Sequence, residues 1–104
     1  MKEIYSTDIS QKKEFKFEGD TLNEEVWNIE VNDHGGGNRE LQYYRRENVT
    51  VEVEPRSGKS CLVLTARRED VEGRHFTSGR VNSLHKQHFT HGRVEASILL
   101  PKTA

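Results

Sequence analysis

Disulfides are excluded within this chain, because Cys61 is its only cysteine. Long hydrophobic runs are absent too, and nothing approaches the roughly 20 apolar residues that span a bilayer as a helix. Hydrophobic residues make up 32% of the 104 positions. A typical globular chain holds roughly 45–50%, a figure that also counts glycine, and the 8 glycines do not close the gap. That shortage predicts sheets that expect further apolar cover. Charge of one sign is also missing. Lys and Arg number 16 against 17 Asp and Glu, a net charge of -1, so the basic footprint needed for nucleic acid or an anionic membrane is not there. The start, MKEIYSTDIS, has no apolar signal-peptide core. It fits a cytoplasmic chain as well as one whose leader has been removed. No window carries a 3.6-residue apolar stripe of helical length.

What the sequence does carry is a period of two. In NVTVEVEP, Val49, Val51 and Val53 alternate with Thr50, Glu52 and Glu54, predicting a half-buried strand closed by Pro55. RSGKS follows as a turn in which Gly58 can take positive φ. CLVLTARRE is a second, more continuously apolar strand, expected to complete a hairpin and to lie nearer a sheet centre. EDVEGRH is expected as a charged connection and FTSGRVNSLHKQHF as a strand with a break near Lys86. HGRVEASILLP is expected as a further strand ended by Pro101. Upstream, Phe15 and Phe17 share one face of KEFKFEG, and LNEEVW suits one short turn capped by Asn23. Short strands with turn signals between them predict an all-β sandwich or barrel, in a single domain or a piece of one.

Several residue groups could carry chemistry. HGGGNRELQYY places three glycines before Asn38 and an aromatic strand-like run. It lacks the Lys and Ser/Thr of a phosphate loop and precedes a strand, both of which argue against a phosphate cradle. The alternatives are a loop that presents Asn38, whose amide both donates and accepts, to sugar hydroxyls, and an irregular loop with no ligand. His85, His88 and His91 recur every three residues, a zinc-like cluster only on a helix; on strands the middle one faces away. Glu52 and Glu54 lie two apart on one strand face, about 7 Å between α-carbons. That could serve a glycosidase carboxylate pair, but alternation with valines marks the water-facing side of an ordinary strand. Arg80 and Asn82 share a face in TSGRVN, where a guanidinium suits sugar oxygens or a carboxylate. Cys61 sits among apolar neighbours, with no residue beside it that would lower its pKa.

Taken in order, FKFEGDTLNEEVWN, GGGNRELQYYRRENVTVE, LVLTARRED, FTSGRVN and HGRVEASILLP resemble the amino-terminal part of glycoside hydrolase family 16. Within that family the chain is most similar to the bacterial laminarinase-type endo-β-1,3-glucanases, from about Phe15 onward. The resemblance implies a partial concanavalin A-like jelly-roll β-sandwich of several antiparallel strands, with residues 1–104 forming the N-terminal portion of one domain. It implies a β-glucan cleft across the concave sheet, with Asn38 and Arg80 reaching sugar hydroxyls and the glycines keeping the rim low. Tyr43 and Trp27 match packing positions. The ligand implied is a β-glucan polysaccharide or oligosaccharide, with neither nucleic acid nor membrane. No cofactor is required. A structural calcium ion is common in the family, but the late Asp that helps bind it is not in this chain. A secreted or periplasmic location follows from the resemblance alone. Gly36 stands where some members carry an aromatic, and His91 where Tyr is common.

The family's catalytic strand carries Glu-x-Asp-x-Glu or Glu-x-Asp-x-x-Glu. Side chains two apart on a strand face the same way, which gathers these carboxylates over the scissile bond. Neither pattern occurs in the 104 residues; EGDTLNE has one spacer too many and EDVE is too short. The resemblance places the motif after the segment matching LLPKTA. The expectation is therefore part of the cleft of a retaining endo-β-1,3- or β-1,3/1,4-glucanase, without its catalytic Glu pair. Two further readings stand beside it: a non-catalytic carbohydrate-binding β-sandwich module, and a β-sandwich interaction domain associating through open sheet edges.

Overall fold

The computed structural model describes residues 2–5, 13–35, 40–88, 90 and 92–101. Among them the architecture is all-β, with one three-residue 3-10 turn at Arg46–Asn48 and no α-helix. A strand not anticipated from the sequence opens the chain: β1 (Lys2–Tyr5) lies between β2 (Lys13–Phe15) and β10 (Arg93–Ala96), antiparallel to both. β3 (Asn28–Ile29) pairs antiparallel with β9 (Val81–Asn82).

The expected hairpin forms from β5 (Val49–Val53) and β6 (Ser60–Leu64), in register Val51 to Leu62. Its turn is built by Glu54, whose carboxylate accepts from the Arg56 N–H at 3.0 Å and the Ser57 N–H at 2.7 Å, while Gly58 takes φ 69°. β6 has only β5 as a strand partner among the described residues, so it is not the central strand its apolar run suggested.

A second correction concerns EDVEGRH. It is not a loose connection: β7 (Arg67–Val71) and β8 (Arg74–Ser78) run into a tight turn at Glu72 and Gly73, both with positive φ. FTSGRVNSLHKQHF is divided between β8 and β9 rather than forming one strand, while the break expected near Lys86 is there, a turn at 84–86 in which His85 has φ 63°. Antiparallel pairing prevails as expected, with one parallel exception. β4 (Tyr43–Tyr44) joins β8 in parallel, Tyr43 opposite Thr77.

Leu22, Trp27, Val49 and Val51 form the buried core, with Phe15, Phe17, Ile29, Leu62 and Val81 packed against it. The shared face of Phe15 and Phe17 closes on Trp27, at ring-centroid distances of 6.1 Å and 5.8 Å. Trp27 is brought there by the expected short turn, where Asn23 Oδ1 accepts the Glu25 N–H at 3.0 Å and the Asn23 carbonyl accepts the Trp27 N–H at 3.1 Å. Emptying such a site costs about 3–5 kcal/mol. Val53 is not buried as its place in the alternation predicts but 63% exposed. With Leu62, Leu64, Ile98 and Leu99 it lines an open apolar groove of about 740 Å³, which Cys61 also borders. The radius of gyration, 15.4 Å, exceeds the roughly 13 Å of a compact domain of this length. The shortage of apolar residues thus appears as hairpins with uncovered apolar faces.

Candidate functional site

Alternation along β3 and β9 separates two chemistries. Trp27, Ile29 and Val81 face the core, and Asn28, Glu30, Arg80 and Asn82 take the other side. Asn28 lies opposite Asn82 in the ladder, and the Arg80 carbonyl accepts the Glu30 N–H at 2.9 Å. Within this strip Asn28 Nδ2 donates to Asn82 Oδ1 and to the Leu84 carbonyl, both at 2.9 Å. Asn82 Oδ1 also accepts the Leu84 N–H at 3.1 Å, so both asparagines hold the turn beyond β9.

The next strand is drawn in by a bridge between Asn32 and Tyr44, with reciprocal backbone hydrogen bonds of 3.1 Å and 2.7 Å. Tyr44 is buried at 4% exposure, and its ring lies under the Arg80 guanidinium, 5.7 Å from Cζ. The Tyr44 hydroxyl donates to Glu40 Oε1 at 2.5 Å and accepts from Gln42 Nε2 at 3.1 Å. Arg80 Nε stands 2.6 Å from Glu30 Oε2, and its Nη1 stands 3.9 Å from Glu40 Oε1. Glu30 Oε2 is buried and receives no aligned hydrogen bond among the described residues; its contact with Arg80 is coulombic. The Tyr44 side chain, then the Glu30 and Glu40 carboxylates, push the arginine pKa further up, so the group is a fixed cation. What results is a planar cationic donor held over an aromatic ring between two acids, with its side chain 44% exposed.

Asn38 lies outside the described residues, as do Gly36 and His91. The neck of its loop is described. Gly35 has φ 76°, its carbonyl accepts the Glu40 N–H at 3.2 Å, and a Cβ on it would meet that nitrogen at 2.9 Å. One glycine of the three is thus required by the backbone itself.

Glu52 and Glu54 serve the hairpin. Glu52 accepts the Thr50 hydroxyl at 2.6 Å. Hydrogen bonds from the Arg56 N–H, and then from Ser57, hold the Glu54 carboxyl below its ordinary range. His85 lies within the 84–86 turn and His88 follows it, both exposed, and among the described residues no three of His, Cys, Asp and Glu are placed to hold a metal ion. Glu30, Glu40 and Tyr44 escaped the sequence reading. The available signal was Glu30, which stands two residues after Asn28 on a strand whose other face is apolar.

No protein-family model matches the sequence. Among curated proteins the chain is 43% identical over 77 residues to the clotting factor G alpha subunit of Tachypleus tridentatus, covering 72% of this chain and 10% of that protein. It is 40% identical over 77 residues to a beta-glucanase of Rhodothermus marinus, covering 74% of this chain and 26% of the relative. Among solved structures, the laminarinase from Rhodothermus marinus superposes with a TM-score of 0.58 at 38% identity, over 73% of this chain and 30% of the laminarinase chain. The all-β arrangement is accordingly that of a jelly-roll β-sandwich.

Proposed function

For a chain related to the laminarinase-type β-glucanases over about three quarters of its length, we propose that residues 1–104 form the N-terminal portion of a glycan cleft. The complete protein would hydrolyse β-1,3- or mixed β-1,3/1,4-glucans with retention, one carboxylate acting as nucleophile and a second as acid and base. The chain itself spans under a third of the relatives it matches, and its 104 residues hold neither spacing of the catalytic acids. Its role in this reading is binding: Arg80 donates to sugar oxygens, and Asn38 adds a donor and an acceptor from the glycine loop.

The observation that carries the proposal is the Arg80 site. A cation over Tyr44, flanked by Glu30 and Glu40 on the polar face of β3 and β9, is a preformed donor beside carboxylate acceptors. Such a surface suits a neutral polyhydroxylated chain. A glycan-binding module without turnover is the second reading, since a sandwich can bind sugars without hydrolysing them. Assays of the full-length protein on laminarin separate the two. Release of reducing ends with retained anomeric configuration supports the hydrolase. Saturable binding without release supports the module, and neither result would leave both readings without support.

A further inference from the structure

Arg80 is half-exposed, yet three neighbours fix it. Glu30 Oε2 lies 2.6 Å from Nε, Glu40 Oε1 lies 3.9 Å from Nη1, and the Tyr44 ring lies beneath the guanidinium plane. Two of these neighbours are themselves tied together, because the Tyr44 hydroxyl donates to the same Glu40 oxygen at 2.5 Å. Gln42 completes that chain by donating to the Tyr44 oxygen at 3.1 Å. Glu40 is further anchored through its backbone N–H, which the Gly35 carbonyl accepts at 3.2 Å.

A free arginine side chain gives up rotamer entropy when a ligand immobilises it. Here most of that ordering is in place before any ligand arrives, which is how preorganisation raises affinity. The clamp also has an electrostatic consequence. Two carboxylates around one guanidinium leave a net negative charge at the site. A single arginine would attract sulfate or uronate groups; this one is already neutralised, and the surplus acid repels them. The half-buried position of Glu30, 27% exposed at the side chain, strengthens both effects by lowering the local dielectric.

Building on the glycan-cleft reading, we propose that Glu30 and Glu40 are positioning residues that hold Arg80 for an uncharged glycan and discriminate against sulfated or carboxylated ones.

The test uses the full-length protein, laminarihexaose and its chemically sulfated form, with Glu40→Gln, Glu30→Gln and Arg80→Ala variants. Glu40→Gln should lower laminarihexaose affinity about fivefold, and the loss should vanish in the Arg80→Ala background. The same variant should narrow the preference for the neutral over the sulfated sugar by about tenfold. An equal loss in the Arg80→Ala background, or an unchanged preference, overturns the proposal. Nuclear magnetic resonance of the Arg80 Nε–H group, recorded without sugar, tests the clamp independently. A resolved signal in the wild type that moves to the bulk arginine position in Glu30→Gln supports it, and a bulk-like wild-type signal overturns it. Absence of any laminarihexaose binding would instead strike the glycan-cleft reading, with the resonance still deciding whether the clamp exists.

Discussion

Gly79 crosses Asn48 so closely that a Cβ on the glycine would stand 2.7 Å from the Asn48 carbonyl oxygen. It would also stand 3.0 Å from Val49 Cγ2. The oxygen has no room to retreat, since it accepts the Thr65 N–H at 2.9 Å. This gives the glycine of TSGR a packing role one residue from Arg80. Gly79→Ala should therefore lower stability by roughly 1–3 kcal/mol, the usual cost of overpacking. Denaturant midpoints of the two proteins check it; equal midpoints would show that the two segments can separate.

Behind that contact lies a buried polar chain. Asn48 and Thr77 are almost wholly enclosed, at 0% and 1% exposure. Asn48 Nδ2 donates to the Thr65 carbonyl at 2.7 Å and to Thr77 Oγ1 at 2.9 Å, and Thr77 Oγ1 donates to Glu69 Oε1 at 2.6 Å. Thr77→Val leaves Asn48 and Glu69 each short of a partner, so a loss of about 1–3 kcal/mol is expected at neutral pH, read from equilibrium unfolding.

The same hydroxyl, with help from Arg45, holds the Glu69 carboxyl below its ordinary value of 4.5. A carboxyl that ionises more readily when folded contributes stability above that value and loses it as pH falls through the lower folded pKa. Melting temperatures taken downward from about pH 6 should fall less steeply below about pH 4.5 in Thr77→Val than in the wild type. Parallel curves would mean that Glu69 does not sense Thr77.

In a catalytically complete protein, Arg80→Ala and Asn38→Ala should each weaken transition-state binding by roughly 1–3 kcal/mol, through partners left unpaired. The ratio kcat/KM on laminarin is the quantity to measure. Unchanged values for both variants would remove them from the cleft.

The 104 residues alone should release no reducing ends from laminarin, because they hold no carboxylate pair in either catalytic spacing. Turnover by the pure chain at its full mass of 12.0 kDa would bring an unrecognised acid pair into consideration.

Much of the fold was legible because strand period and turn chemistry are local. Val49 and Val51, the Gly58 turn, the Asn23 cap and the pairing of Phe15 and Phe17 on one face all follow from spacing. What escaped depends on partners distant in sequence. Val53 alternates correctly but finds no neighbour to cover it among the described residues. Tyr44 pairs in parallel with Ser78, a choice no local pattern encodes. Arg80 was recognisable as a donor, whereas its holders Glu30 and Glu40 come from two other stretches and meet it only after folding. The short Glu72–Gly73 turn was missed because the charge on both sides of it looked like a solvated loop.

Trp27 is the only tryptophan in the chain, and it sits enclosed between two phenylalanines one position along the backbone from the polar strip. The molecule therefore contains its own optical probe, a lone indole whose emission should shift to the red when the aromatic cluster opens. Since the indole faces away from Arg80, that colour change reports unfolding with little interference from sugar, and every stability comparison above can be followed without a label.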